Sequence, residues 1–297
     1  MIYEFAVSPS ICGSWQNLRF LLSSFGKEEG RLLSDIPKNE WVNLASKTIK
    51  LSKNRPLERK RMSVGLLNLK KKSLYKRDFV PQIAGEKWIK HALAAHKNRP
   101  FRAILTEGCP AVEKYVLTND FELPEKKLWK VPSGCMAKRT AKEMLDPIKT
   151  MLDCANEVIL IDRNFDPEKS RFVNFLEELL NYLSNRSYSP SIQTVSYHVG
   201  NRMSSEHIEY LCREHVAKKE ILHGIKLNIY IWPRNELHDR YILTDNGGVK
   251  YGIGLDEDDG GSSKEVAINR ISNYEYQKWW TECQKRTLSC QISSPNA

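Results

Sequence analysis

The sequence contains no apolar run that approaches the about 20 residues of a membrane-spanning helix. Its first four residues, Met1 to Glu4, lack the basic, apolar and small-residue regions of a signal peptide, so we expect a soluble, cytoplasmic protein. The seven cysteines are scattered and never form Cys-x-x-Cys, which argues against a disulfide framework and a structural zinc site. We therefore predict no metal and no cofactor. With only 15 glycines and 13 prolines in 297 residues, the composition favours one large or two ordinary globular domains over a disordered or fibrous chain.

Positive charge is concentrated in one part of the chain. The formal net charge is +10, and residues 47–77 alone carry twelve lysines and arginines against the single acid Glu58. A basic segment of this density attracts polyanions, with nucleic acid the commonest partner and an anionic membrane surface the second. A solvated helix face is the alternative interpretation. The residues predicted to bind nucleic acid are Arg59, Lys60, Arg61, Lys70, Lys71 and Lys72.

The pattern of apolar residues predicts two domains. Residues 1–130 show a short strand at the start, several amphipathic helical segments and one later strand, which indicates a mainly helical, basic N-terminal domain. Periodicity is lost between Asn119 and Gly134, where prolines and a lysine pair favour a boundary. Residues 135–297 alternate strands with helices, which predicts an α/β domain with a largely parallel core. Its first three strands are expected at 157–162, 192–199 and 225–232.

A histidine and an arginine stand two residues apart at the start of a further predicted strand. Because alternate residues of a strand face the same side, His238 and Arg240 should point the same way. An imidazole nitrogen can attack phosphorus while a guanidinium holds the non-bridging oxygens, so the pair suits phosphoryl transfer. Asn-Gly at 246–247 predicts a hairpin. In the returning strand, Gly252 and Gly254 would leave bare backbone where a phosphate could approach.

The stretch His238-x-Arg240-x4-Asp245, followed by a glycine-bearing strand, resembles the phospholipase D superfamily motif His-x-Lys-x4-Asp followed by Gly-Ser. It fits best the phospholipase-D-like domain at the C-terminus of proteins with microtubule-interacting-and-trafficking domains. There too His-Asp-Arg is followed by an Asn-Gly turn and Gly-x-Gly-Leu-Asp, as at 238–240, 246–247 and 252–256 here. The resemblance covers roughly residues 138–286. It implies a phospholipase-D-like mixed sheet flanked by helices.

The resemblance also implies an activity. Active members are metal-independent phosphodiesterases, many of them nucleases, in which one histidine becomes a phosphohistidine and a second histidine protonates the leaving group. It assigns His238 as nucleophile, Arg240 as substitute for the phosphate-binding lysine, and Asp245 as support for the loop or the imidazole. Because only one such motif is present, a complete site would need a homodimer with two copies of His238 facing each other. Prokaryotic relatives often belong to DNA restriction and antiphage modules, so an antiviral effector beside an ATPase or motor partner would fit.

The motif also departs from the family pattern. Arginine replaces lysine at position 240, and Ile253 stands where the family's phosphate-binding serine would follow Gly252. The relatives closest in motif are thought to bind membranes and trafficking partners. The alternative function is therefore a non-catalytic module that holds an anionic lipid or a protein partner. For His238 itself the alternative is a structural imidazole, and Asp245, which begins a turn on the opposite pleat, suits a turn-forming role.

Three further features bear on the site. A cation inside an apolar strand needs a carboxylate partner, and Asp162 or Glu265 could supply it to Arg240. His198 ends the second predicted strand and is either a partner for the catalytic histidine within the same subunit or a capped core histidine. The acidic segment 256–263 fails the spacing of a calcium-binding loop, which predicts a solvated, mobile loop at the site mouth. Ser262, Ser263 and Glu265 are its candidate contributors to the site.

Overall fold

The computed structural model describes residues 1–77, 87–108, 113–120, 122–186, 191–258 and 264–294. The chain divides into an N-terminal unit, residues 2–132, and a C-terminal unit of residues 133–297 with residue 1. Both units are α/β. Within the described ranges no helix is long and apolar enough to cross a membrane.

A five-stranded parallel sheet forms the centre of the N-terminal unit. Its strand order is β3-β2-β1-β4-β5, so the first strand of the chain lies in the middle. The strands are β1 (Tyr3–Val7), β2 (Arg31–Ser34), β3 (Leu74–Tyr75), β4 (Ala103–Thr106) and β5 (Val116–Thr118). The expectation of a mainly helical domain is therefore corrected. The three strands that the sequence pattern does not predict, β2, β3 and β5, have only two to four residues, too short to show an alternating pattern, and their location between helices hides them further.

Helices cover both faces of this sheet. Their bounds are α1 (Trp15–Ser24), α2 (Trp41–Leu51), α3 (Pro56–Ser73) and α4 (Trp88–Asn98). The first three bury their apolar residues with Phe5 and Leu105 on one face, whereas α4 packs its alanines against Ala6 and Ile104 on the other. Ser14 begins α1 by accepting a hydrogen bond from the backbone N–H of Asn17 at 3.1 Å. The result is a three-layer arrangement with a continuous core on each side of the sheet.

The C-terminal unit contains a mixed sheet of eight strands in the order β13-β9-β8-β7-β10-β11-β12-β6. Strands β7, β8 and β9 run parallel and are separated along the chain by helices, as the sequence predicts, because each crossover returns the chain in the same direction. The others pair antiparallel. The strands are β6 (Gly134–Lys138), β7 (Val158–Ile161), β8 (Thr194–Gly200), β9 (Lys226–Trp232), β10 (Arg240–Thr244), β11 (Gly247–Tyr251), β12 (Glu265–Arg270) and β13 (Cys290–Ile292).

Helices pack on this sheet too. They are α5 (Ala141–Leu145), α6 (Lys149–Asp153), α7 (Ser170–Ser184), α8 (Ser205–Cys212) and α9 (Asn273–Gln284). The predicted hairpin joins β10 to β11, with residues 245 and 246 in the turn. Because β10 runs antiparallel to β7, the start of β10 lies at the same edge of the sheet as the carboxyl ends of β7, β8 and β9. This edge carries the candidate site.

Candidate functional site

Four arginines stand at the ends of four neighbouring strands. Arg163 follows β7, Arg202 follows β8, Arg234 follows β9, and Arg240 begins β10. We call this row the arginine edge. Since adjacent strands lie about 4.8 Å apart, a row across β9, β8, β7 and β10 spans about 14 Å. Arg202 and Arg234 are exposed, whereas the other two are partly buried.

His238 lies on the loop between β9 and β10, and its side chain is exposed at this edge. Nδ1 of its imidazole lies 3.5 Å from Nη1 of Arg163, and its carbonyl oxygen accepts a hydrogen bond from Nη1 of Arg240 at 3.2 Å. Asp239 turns the other way, where its carboxylate accepts a hydrogen bond from the Tyr241 hydroxyl at 2.9 Å. His238 and Arg240 are thus brought together with Arg163.

The contact with Arg163 has a consequence for the imidazole proton. A guanidinium only donates hydrogen bonds, so a hydrogen bond in this pair requires Nδ1 of His238 as the acceptor, with the ring proton on Nε2. In this tautomer the ring presents an N–H to an incoming anion. Attack through Nε2 requires the other tautomer, with the proton on Nδ1.

Two guanidinium nitrogens of the site are buried without a hydrogen bond. Nε of Arg163 and Nε of Arg240 have no hydrogen-bond partner within the described part of the chain. Buried donors are nearly always satisfied in folded proteins, by protein groups, water or a ligand. An anion can reach these two nitrogens only after the side chains rearrange, because both atoms are buried.

Asp162 organises this end of the sheet. Its carboxylate is fully buried and accepts hydrogen bonds from the backbone N–H groups of Asn164 and Leu255, each at 2.9 Å. Nε of Arg240 lies 3.7 Å from the same carboxylate, which confirms Asp162 as the partner predicted for that arginine. Burial raises the pKa of Asp162, and the two backbone donors and Arg240 only partly offset it. Glu265, the other candidate, pairs in register with Lys138 of β6 and is exposed.

The first residues of the acidic segment, 256–258, are anchored to the fold, which corrects the prediction of a solvated loop for these residues. Residues 259–263 lie outside the described ranges. The Asp256 carboxylate is buried and lies 2.8 Å from Arg139 and 3.3 Å from Arg171. A Cβ atom on Gly254 would lie 2.0 Å from this carboxylate, so the space beside that glycine belongs to Asp256 rather than to a ligand. The backbone of Gly252 remains open. Ser262 and Ser263 lie outside the described residues.

Asp245 does not join the site. It lies five residues along from Arg240, at the opposite end of β10, which places it about 16 Å away at about 3.3 Å per residue. There its carboxylate accepts hydrogen bonds from the backbone N–H of Asn156 at 2.9 Å and from the side-chain amide of the same residue at 2.8 Å. Its grouping with the catalytic residues is therefore corrected: Asp245 secures the turn, as Asp residues commonly do.

His198 is a core histidine. It is 1% exposed, its Nδ1 accepts a hydrogen bond from Nε1 of Trp232 at 2.8 Å, and its ring stacks on Tyr230 at 4.5 Å. Burial, aided by the positive charge of Arg286, lowers the pKa of His198 to about 3. The imidazole is thus neutral and enclosed, and it is not placed to exchange a proton with a ligand at the arginine edge.

The six predicted nucleic-acid-binding residues of the basic segment fall into two groups, those held by contacts within the protein and those exposed to solvent. Lys72 donates to the Glu29 carboxylate at 2.6 Å and to the Leu22 carbonyl at 3.1 Å, and Arg59 donates to the Lys50 carbonyl at 3.1 Å. These two residues of the predicted nucleic-acid surface are engaged in intramolecular contacts. The remaining four predicted residues, Lys60, Arg61, Lys70 and Lys71, are exposed on α3.

Sequence reasoning missed Arg163, Arg202 and Arg234. The signal that could have found them is their position directly after predicted parallel strands, since the carboxyl ends of such strands share one edge, where ligands bind. Within the described ranges, no group of three or more His, Cys, Asp or Glu residues is placed to hold a metal ion.

Comparisons with known proteins add little to this geometry, which defines a two-unit α/β protein with a cationic edge on its mixed sheet. No family model and no curated protein matches the sequence. One similar solved structure is TrmBL2, an archaeal chromatin protein described as showing a novel mode of DNA binding. It is 13% identical over 52% of this chain, with a TM-score of 0.29, and the match spans about half, 52%, of that chain. A likeness of this extent supports no conclusion about fold or function.

Proposed function

We propose that the C-terminal unit binds a phosphodiester of nucleic acid at the arginine edge and cleaves it with His238 as nucleophile. The observation that carries the proposal is the convergence of the exposed His238 imidazole with Arg163 and Arg240, whose buried Nε groups have no hydrogen-bond partner in the described residues. A guanidinium group can bind two oxygens of one phosphate through two parallel hydrogen bonds, and the imidazole of His238 lies beside the two arginines.

The length of the arginine edge favours a polymer over a small phosphate ester. The exposed Arg202 and Arg234 extend the row across β8 and β9, and the amide nitrogen of Arg234 donates to the Asn201 side chain at 2.9 Å, which joins the two loops. A row of about 14 Å is longer than one phosphate group. Successive phosphates of a nucleic-acid strand can therefore contact successive arginines.

In the proposed reaction, Nε2 of His238 attacks phosphorus and forms an N–P bond while the bond to the leaving oxygen breaks. Arg163 and Arg240 hold the non-bridging oxygens as negative charge develops. Because the attacking tautomer carries its proton on Nδ1, the ring must give up its contact with Arg163, whose Nη1 then becomes available to the phosphate. Water hydrolyses the phosphohistidine in the second step and regenerates the imidazole.

The leaving oxygen needs a proton, and the buried, neutral His198 is not positioned to give it. We therefore propose a homodimer in which His238 of a second copy serves as the acid, an arrangement that twofold symmetry permits. In the same proposal, the protein is an antiphage effector that acts with an ATPase or motor partner.

One observation favours a second function, a non-catalytic module that holds an anionic lipid or a phosphorylated partner. The contact between Arg163 and Nδ1 of His238 stabilises the tautomer that donates from Nε2, which suits anion binding and opposes attack. In this case the same residues would bind phosphate without turnover.

The deciding experiment incubates the purified full chain with labelled single- and double-stranded DNA and RNA in excess EDTA. The variants are His238→Ala and, as a control, His223→Asn. His223 is exposed in the turn before β9, at the opposite end of that strand from the arginine edge, and asparagine tolerates its positive φ of 48°. Cleavage that survives EDTA, persists in His223→Asn and is lost in His238→Ala supports the phosphodiesterase. Cleavage that persists in His238→Ala contradicts it.

Two other results would redirect the proposal. Binding of nucleic acid with no cleavage by the wild type favours the non-catalytic module. Binding to anionic vesicles with no measurable affinity for DNA or RNA contradicts nucleic acid as the ligand. A steep dependence of oligonucleotide affinity on salt, which grows with oligonucleotide length, supports nucleic acid as the ligand.

A further inference from the structure

The outward side of helix α3 in the N-terminal unit is exposed to solvent but carries apolar side chains. Leu57, Val64 and Leu67 are 63%, 55% and 60% exposed. The opposite side of the helix is fixed to the unit through the buried Met62, Leu66 and Leu69. Three large aliphatic side chains held in water on one helix are the kind of surface that protein partners cover.

These aliphatic residues fall at heptad spacing with two lysines between and after them. Positions 57, 60, 64, 67 and 71 follow steps of three, four, three and four residues, the spacing of the a and d positions of a coiled coil. They read Leu, Lys, Val, Leu, Lys, and all five are exposed. We call them the α3 seam. Its length over 14 steps is about 21 Å, enough for two heptads of a partner helix.

The charge around the α3 seam defines the chemistry of that partner. Arg61 and Lys70 are exposed beside it, and Glu58 is the only acid on α3. A second copy of this helix would bring its own lysines and arginines close to those of the first copy, and this like-charge approach is unfavourable. A helix with apolar residues in its own seam and glutamates flanking them would bury the aliphatic side chains and pair the cations.

Other polyanions fit the α3 seam less well. Phosphates of nucleic acid can pair with the lysines but leave Val64 and Leu67, at the centre of the surface, without a complementary group. A lipid surface needs a wide apolar stripe, whereas here Lys60 and Lys71 interrupt the row of aliphatic residues. We propose that the α3 seam is a docking surface for an acidic amphipathic helix of a partner protein. This function is separate from the site at the arginine edge.

The test measures binding of the full chain to a synthetic acidic peptide of three heptads, about 21 residues, with leucine at a and d and glutamate at e and g. A control peptide of equal charge has glutamine at a and d. The test variant is Val64→Gln with Leu67→Gln, which removes apolar surface but keeps every charge. Its matched control is Leu51→Gln, because Leu51 is 75% exposed at the end of α2, outside the α3 seam.

We expect the acidic peptide to bind, and both the control peptide and the double variant to lower the affinity at least about tenfold. Leu51→Gln should leave the affinity unchanged. Equal binding of the two peptides, or no effect of the double variant, would overturn the proposal. All these positions are exposed, so an unchanged far-UV circular dichroism spectrum checks that the fold is retained.

Two parallel probes distinguish the other occupants. The first probe is single-stranded DNA. The α3 seam would be a nucleic-acid surface if Lys60→Gln with Lys71→Gln lowers the affinity for this DNA, Val64→Gln with Leu67→Gln does not, and the acidic peptide does not bind. Vesicles containing phosphatidylserine that lose affinity in the double variant would make it a membrane surface. Either result rejects the acidic helix.

Discussion

Nη1 of Arg163 lies 3.5 Å from Nδ1 of His238, although the two residues are 75 positions apart in the chain. The contact joins the end of β7 to the loop before β10. It ties the exposed imidazole of His238 to a guanidinium that can also hold a phosphate. In the proposed reaction, the protonation of this pair decides whether His238 donates a hydrogen bond from Nε2 or attacks phosphorus.

Arg163→Ala should lower affinity for an oligonucleotide about tenfold or more, because a charge-assisted hydrogen bond to phosphate is lost. The slope of log affinity against log salt should fall by about one. Fluorescence anisotropy at several salt concentrations measures both. Arg213→Ala is the control, since Arg213 pairs with Glu209 at 2.7 Å beyond the end of α8. Equal losses in the two variants would assign the effect to total charge rather than to the site.

Gly200→Ala should displace Arg163 without removing it. The added Cβ would lie 2.8 Å from the carbonyl oxygen of Arg163, a backbone atom that cannot rotate away. We expect a loss of about 1–3 kcal/mol in unfolding free energy and weaker oligonucleotide binding. Gly252→Ala is the matched control for stability at the same edge, because its Cβ would meet nothing closer than 3.6 Å. Denaturant unfolding measures the free energy of unfolding, and fluorescence anisotropy measures oligonucleotide affinity. If both are unchanged in Gly200→Ala, the contact between Gly200 and the backbone of Arg163 does not position Arg163.

Glu4→Gln should destabilise the N-terminal unit by about 3–5 kcal/mol. Glu4 is 3% exposed and lies 2.8 Å from both Arg77 and Arg99, so the substitution leaves two cations without their carboxylate. Hydrogen exchange of the β1 and β4 amides measures the effect in this unit alone. Glu122→Gln, at an exposed pair with Lys126, should leave the exchange unchanged.

The same residue predicts acid sensitivity. Burial by itself would raise the pKa of Glu4, but the Arg77 and Arg99 guanidiniums outweigh it and hold the pKa below the ordinary 4.5. A lowered carboxyl pKa gives stability that is fully present above 4.5 and is lost as pH falls through the lower folded value. Protection factors of the β1 amides, which correct the exchange rates for their intrinsic dependence on pH, should fall in this range. Unchanged protection factors would contradict a contribution of the Glu4 ion cluster to stability.

His198→Asn should flatten the pH dependence of stability in the C-terminal unit. The pKa of His198 is about 3 in the folded unit against 6.5 ordinarily, so the unfolded chain binds the extra proton between these values. Stability is therefore full above pH 6.5 and falls by up to about 1.4 kcal/mol per pH unit below it. Asparagine keeps an acceptor for Nε1 of Trp232 but does not titrate. Unfolding free energies measured between pH 4 and 7 test this, and parallel curves for variant and wild type would refute it.

Local pattern in the sequence predicts much of the C-terminal unit. The alternation of β7, α7, β8, α8 and β9 is encoded in runs of neighbouring residues. A carboxylate partner for Arg240 follows from the cost of burying a lone cation, although the choice of Asp162 over Glu265 does not. The two-residue period of a strand does not apply to His238 and Arg240, because β10 begins at Arg240 and His238 lies on the loop before it. The alternation and the carboxylate partner depend on residues close in sequence or on one general electrostatic rule.

Only the tertiary structure decides which residues meet. It gathers Arg163, Arg202 and Arg234 at one edge because parallel strands end together, and it leaves Asp245 at the other end of β10. It engages Lys72 with Glu29, 43 residues earlier, and encloses Asp256 between two arginines. Composition and periodicity report the backbone geometry and burial of a single segment. The contacts between distant segments are determined by the register of paired strands and by which loops pack against each other.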